Sequence, residues 1–247
     1  MPVNTEIRNA VVTGGGRGIG RAIATVLAAR GAAVAVWDRT VADAEETVAS
    51  IRAAGGTAVA VIGDVADSAE VADSVKRTRS ELGPISILVN NAAVSEYVPF
   101  VDITDDAWDR MIGVNLKGPF LVTKAVVPDM LAAGWGRIIN ISSSSAQSGG
   151  PLIAHYAASK GGLIGLTKAL AIEYAETGIT VNHVPPSSID TPLLRDGLDP
   201  DEVAALVPMK RTGQPDDIAY AVAYLASEQA GFVTGQTLSV NGGRYLA

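Results

Sequence analysis

Residues 10–20 read AVVTGGGRGIG, and RAIATVLAARG (21–31) follows without a break. The run Ala10-Val11-Val12-Thr13 has the length and β-branched content of a buried strand. Gly14 to Gly20 make a loop, and the next segment carries apolar residues at helical spacing up to a stop at Gly31. Strand, glycine loop and helix form a cradle for phosphate. Glycine lets the backbone approach an anion, and a helix N-terminus offers it N–H groups. The spacing is Gly14-xxx-Gly18-x-Gly20 rather than GxGxxG, so a loop that is only a turn is the alternative. The second strand, Ala33 to Trp37, argues against that alternative. It ends in Asp38, a carboxylate placed to accept from an adenosine ribose and to repel a 2′-phosphate. Arg39 beside it carries the opposing charge.

Working outward, the pattern repeats. Helix 41–56, strand 57–63 ending at Asp64, helix 66–83 and strand 85–89 running into Asn90-Asn91-Ala92-Ala93 come in turn. A long helix over 102–134, a strand over 135–142, a helix over 156–176 and a strand over Ile179–Val184 follow. After an irregular stretch from Pro185 to about Pro208, a helix near 215–227 and a last strand, Thr237–Val240, complete the chain. Alternating strands and helices predict an α/β fold, a single-domain Rossmann-type doubly wound parallel sheet. About seven strands are expected, with helices on both faces and one domain spanning 1–247. Ligands then bind beyond the carboxyl ends of the strands.

Composition narrows the class. The 247 residues are 48% hydrophobic, enough for a large core, and carry a net charge of −7, which argues against nucleic acid as a partner. No apolar run has membrane-spanning length, and the N-terminal residues lack signal-peptide character. The absence of cysteine removes disulfides and thiolate metal sites, and two histidines are too few for a His-based centre. The expectation is a cytoplasmic protein without a metal.

A second stretch, Tyr156-Ala157-Ala158-Ser159-Lys160, stands at the head of the 156–176 helix. Residues four apart share a helix face. An ammonium about 4 Å from a phenol, at an effective dielectric near 20, favours the phenolate by roughly 4 kcal/mol. That would bring a tyrosine toward proton exchange at neutral pH. Alone, the pattern reads equally well as a packed tyrosine and a solvated lysine; the serine run Ser142–Ser145 and the glycine loop upstream raise it.

Together, TGGGRGIG, NNAA, the asparagine in VNLKG, a serine thirteen residues before Tyr156 and IDTP near the C-terminus occur in an order that resembles the short-chain dehydrogenase/reductase family, in its shorter soluble branch. The resemblance covers the chain from Asn9 to about Gly243. It implies Tyr156 as general acid/base and Lys160 as the group that lowers its pKa and bonds the nicotinamide ribose. It further implies Ser143 as holder of the substrate oxygen and Asn115 as anchor of a water linking Lys160 to solvent. For the cofactor it implies Gly14, Arg17, Gly18, Ile19 and Gly20 at the diphosphate and Asp38 at the ribose. Asp64 and Val65 fall at the adenine, Asn91, Ala92 and Pro186 along the cofactor, and Ile189 and Thr191 at the carboxamide. Three positions depart from the pattern. Ala93 and Ser187 stand where glycine is usual, and Pro185 stiffens the approach to Ser187. His155 and His183 match no catalytic position; His155, just before Tyr156, is read as structural in preference to facing the pocket.

The resulting expectation is an NAD-dependent oxidoreductase acting on a small apolar secondary alcohol or ketone, with NAD preferred to NADP. An NADPH-dependent 3-oxoacyl thioester (acyl-carrier-protein or coenzyme A) reductase is the rival enzyme. A non-catalytic cofactor-sensing regulator on the same fold is the rival of another class. The substrate pocket is assigned to Ser143, Gln147, Leu152, Ile153, Tyr156, Ser187, Leu193 and Leu194, under a lid at about 190–210. The family resemblance also implies a homotetramer.

Overall fold

A computed structural model describes residues 8–191, 194 and 199–246. Six strands, β1 (Asn9–Thr13), β2 (Ala33–Asp38), β3 (Thr57–Ile62), β4 (Ile87–Asn90), β5 (Gly136–Ile141) and β6 (Ile179–Val184), form one sheet. Its order is β3-β2-β1-β4-β5-β6, and every neighbouring pair is parallel. The order reverses between β1 and β4, which opens a crevice above their carboxyl ends.

Alternation along β1 shows why both faces are covered. Ala10 and Val12 join a core with Ile23 and Leu27 of α1 (Gly18–Ala29), Val48 and Ile51 of α2 (Val41–Ala53), and Ile218 and Val222 of α9 (Pro215–Leu225). Val11, between them, faces the opposite core, with Val71 and Val75 of α3 (Ser68–Leu82) and Val122, Val126 and Met130 of α5 (Gly118–Ala133). Strands buried on both faces carry near-continuous apolar runs, as these do. Asp67 starts α3 by accepting from the Ala69 and Glu70 amides, and Thr104 starts α4 (Asp105–Ile112) by accepting from Ala107.

Two elements differ from the sequence expectation. The single helix over 102–134 is instead α4, a π-helical turn (Gly113–Lys117) and α5. The wider turn carries Asn115, whose side chain bonds another segment, and Gly118 lies where a Cβ would stand 2.9 Å from Val65 Cγ2. Such π-turns usually mark functional sites. The seventh strand is reduced to isolated parallel bridges, His183 with Thr237 and Pro186 with Val240. Side chains take over part of the ladder there: Asn182 Nδ2 donates to Val233 O, and the Gln236 amide donates to Asn182 Oδ1. Short helices also appear at α6 (Ser145–Ser148) and α8 (Pro200–Leu206), within stretches the sequence left irregular. The helix read as 156–176 is α7 (Ala154–Glu173).

Candidate active site

The glycine loop sits at the mouth of the β1–β4 crevice. Gly14 has φ +61°, and a Cβ there would lie 2.9 Å from Ala92 Cα, so no side chain fits between the two loops. Asn91 Nδ2 donates to Thr13 O (2.9 Å) and Gly14 O (3.0 Å), while Thr13 Oγ1 accepts from the Asn91 and Ala92 amides. These bonds fasten the loop after β4 to the loop after β1. The N-terminus of α1 has no side-chain cap and no acidic residue in its first turn, with Arg17 exposed at the N-cap. It is therefore ready for an anion. Ile19 and Gly20 begin that helix. Gly18 faces Thr191, whose Cγ2 would lie 3.5 Å from a Cβ on Gly18.

At the ribose end, Asp38 accepts from the Gly16 amide through Oδ2 (3.0 Å) and from the Thr40 amide through Oδ1 (3.0 Å). Its carboxylate is fixed against the glycine loop while retaining lone pairs for hydroxyls. Arg39, the opposing charge in the sequence, pairs with Asp64 Oδ2 at 3.4 Å, beside the buried Val65. Glycine loop, uncapped helix and anchored carboxylate fit a dinucleotide.

The proton-handling groups gather above β5 and α7. Tyr156 is partly buried and Lys160 fully so. Lys160 Nζ donates to Ile141 O (2.8 Å) and lies 5.9 Å from the centroid of the Tyr156 ring. Burial pushes the Lys160 ammonium down to about 8. Burial also pushes the Tyr156 phenol above the ordinary tyrosine value; a hydrogen bond with Ser143 opposes this, and the neighbouring Tyr97 phenol adds to it. Helical spacing aligns the two residues, but the lysine reaches to the end of β5, and each group is shifted first by its own burial. Ser143 Oγ is 2.6 Å from Ser145 Oγ.

Asn115 is wholly buried. Its Oδ1 accepts from the Val94 amide (2.9 Å), and its Nδ2 donates to Val94 O (2.9 Å) and to Ser159 Oγ (3.1 Å). The side chain is thus a clamp on the segment after β4. At the other end of that segment the Val98 amide donates to Leu152 O (2.8 Å). Leu152 has φ +64°, a strained value for leucine. Tyr97, between these two anchors, is a site residue that sequence reading missed; it follows NNAA with no periodic signal of its own.

The other pocket residues divide. Ile153 is buried, Leu152 half exposed, and Gln147 Oε1 is buried without a partner. Pro186 O accepts from the Ser144 amide (2.9 Å), which brings the loop after β6 against the serine turn. Ser187, with Ile189, Val207, Met209 and Val240, lines a cavity of about 310 Å³. Neither Ser143 nor Tyr156 borders it. Ala93 and Ser187 are not among the residues at positive φ, so neither backbone needs glycine. The Leu194 amide donates to Thr191 O, whereas Leu193, with 192 and 195–198 of the expected lid, lies outside the described residues. Among the described residues, no cluster of three or more His, Asp or Glu could hold a metal, and no helix is long and apolar enough to cross a membrane.

Fold and site together define an oxidoreductase that interconverts CH–OH and C=O with a nicotinamide dinucleotide. A family model described as "Enoyl-(Acyl carrier protein) reductase" matches residues 14–244. The chain belongs to the short-chain dehydrogenase/reductase family. It is 42% identical over 243 residues to the 3-oxoacyl-[acyl-carrier-protein] reductase FabG of Staphylococcus epidermidis, covering 97% of this chain and 99% of that protein. To the enzyme of that name from Escherichia coli it is 41% identical over 247 residues, covering 99% and 100%. Among solved structures, the 3-ketoacyl-(acyl-carrier-protein) reductase of Brucella melitensis complexed with NADH superimposes with a TM-score of 0.91 at 36% identity, over 96% of this chain and 98% of that one. A gluconate 5-dehydrogenase from Burkholderia cenocepacia, in complex with NADP and tartrate, also gives 0.91, at 38% identity over 96% and 94%.

Proposed function

We propose that the chain reduces 3-oxoacyl thioesters, with NADH as hydride donor in preference to NADPH. The observation that carries this reading is the near full-length likeness, at 41–42% identity, to two 3-oxoacyl-[acyl-carrier-protein] reductases. It reverses the order in which the sequence ranked the substrates, where a small apolar ketone stood first. The preference for NADH rests on Asp38, fixed by two backbone amides where a 2′-phosphate would meet its charge. The Brucella melitensis relative was solved with NADH, so a ketoacyl reductase of this fold accommodates that dinucleotide.

A bound nicotinamide supplies the hydride to the carbonyl carbon. Ser143 and the Tyr156 hydroxyl receive the 3-oxo oxygen, and the Tyr156 proton passes to that oxygen as it becomes an alcohol. Lys160, buried beside them, stabilises the phenolate left behind. Asn115 and Leu152 hold the 94–98 segment as one wall of the site. A cofactor-sensing role without turnover would not require a tyrosine and a serine hydroxyl placed beside a buried lysine.

The test is NADH consumption with 3-oxobutanoyl thioesters of coenzyme A and of a carrier protein, set against cyclohexanone. Efficiency at least about a hundredfold higher for a thioester, a difference of roughly 2.7 kcal/mol in transition-state binding, is expected. Faster reduction of cyclohexanone would return the reading to a small-ketone reductase.

A further inference from the structure

His183 lies on β6 outside the proton-handling group, yet its ring is wholly buried and engaged at both nitrogens. Nδ1 shares a 2.7 Å hydrogen bond with Ser142 Oγ, and Nε2 shares one of 2.7 Å with Thr237 Oγ1. We propose that His183 is a positioning residue for the reaction: acting through Ser142, it fixes the turn that aims Ser143 at the substrate oxygen, and it ties that turn to the C-terminal segment.

Several contacts carry the argument. Ser142 is the last buried residue before the turn and immediately precedes Ser143. The turn is otherwise held by the Ser142 amide donating to Val184 O at the end of β6 and by the Ser144 amide donating to Pro186 O in the loop after it. These two bonds hold the backbone on either side of Ser143 but leave the Ser142 side chain to the imidazole. On its far side His183 is built into the reduced seventh strand: its amide donates to Gln236 O, and its carbonyl accepts from Leu238.

The ring is neutral, because burial, and to a lesser degree the Lys168 charge, push it down to about 4. A neutral imidazole has one N–H and one bare nitrogen, so one hydroxyl accepts while the other donates. The two ends of the bridge are thereby coupled. An apolar residue at 183 would leave the buried Ser142 hydroxyl without this partner.

Asparagine places an amide where Nδ1 stands, and glutamine places one where Nε2 stands. His183→Asn keeps the bond to Ser142 and loses the one to Thr237; His183→Gln does the reverse. If His183 acts on Ser143, His183→Gln and Ser142→Ala each lower kcat about tenfold, with KM and dinucleotide Kd unchanged, since displaced reacting groups lose rate before binding. His183→Asn stays within about twofold of wild type, although both His183 variants unfold at a lower temperature. The double variant Ser142→Ala/His183→Gln is no slower than either single one. Rates are read with the faster of 3-oxobutanoyl-coenzyme A and cyclohexanone. Equal kcat losses in the two His183 variants, or a Ser142→Ala rate within about twofold of wild type, overturn the proposal. If a His183 variant does not fold, Ser142→Ala alone decides. A wild type inert toward both substrates also overturns it, since there is then no reacting serine to position.

Discussion

Lys160 and Tyr156 are one helical turn apart, yet the Lys160 ammonium lies 5.9 Å from the Tyr156 ring centroid and donates to the carbonyl of Ile141 at 2.8 Å. Each is therefore governed more by its own burial than by the other. The lysine is pushed down to about 8 and the phenol is raised. The first prediction follows from the lysine. The unfolded chain keeps the Lys160 proton until about pH 10.5, whereas the folded chain releases it near 8. Between those values the unfolded state binds more protons, so stability rises with pH. Tyr156 has the opposite sign, because its raised pKa makes stability fall with pH, but only from about pH 10 upward. Urea midpoints measured from pH 7.5 to about 9.5 should therefore rise in wild type relative to Lys160→Met. Parallel curves would refute this.

Asp38 should govern the choice of dinucleotide. Its two oxygens are held by the Gly16 and Thr40 amides, so its charge cannot swing away from a 2′-phosphate. Fluorescence titration should give a Kd for NADH at least about tenfold below that for NADPH, equivalent to roughly 1.4 kcal/mol. Asp38→Ser should erase most of that gap. An unmodified protein that binds NADPH as tightly as NADH contradicts the assignment.

The Asn115 clamp makes a stability prediction. Asn115→Leu leaves the Val94 amide and carbonyl and Ser159 Oγ without their partner inside the fold. Buried polar groups so abandoned cost about 1–3 kcal/mol each before relaxation, so a loss of about 3 kcal/mol is expected in denaturant unfolding. A loss below about 1 kcal/mol would mean that water replaces the clamp.

Assembly is the next. Phe120 and Leu131 on α5, Ile172 on α7, Tyr220 and Tyr224 on α9, and the fully exposed Phe232 present large apolar surface. Closed symmetric assembly is the usual way to cover such faces. Light scattering at micromolar concentration should give four times the 25.3 kDa chain mass, and the chain mass itself would contradict a homotetramer.

The doubly wound parallel sheet and its ligand-binding edge were legible in the sequence because strands and helices alternate, and each strand end carries a marked residue: Gly14, Asp38, Asp64, Asn91, Ser143, Pro186. What escaped was geometry set by contacts distant in sequence. The π-turn at Gly113–Lys117 comes with a bond from Asn115 to Val94, and nothing near position 113 announces it. The last strand dissolved because Asn182 and Thr234 side chains substitute for part of its backbone ladder. The distance from Lys160 to Tyr156 depended on a carbonyl nineteen residues away, at Ile141. His183 received no role because no local pattern shows that Ser142 and Thr237 meet its two nitrogens.

The measurement that bears most directly on the chemistry is Tyr156→Phe, followed by dinucleotide binding and turnover on the same preparation. The substitution removes one hydroxyl from a site whose walls, glycine loop and Asp38 are untouched. The account predicts NADH binding within about threefold of wild type and a kcat lowered by at least about a hundredfold, the scale of a lost general acid. A variant that binds NADH normally and keeps more than about a twentieth of wild-type turnover would show that another group protonates the substrate oxygen.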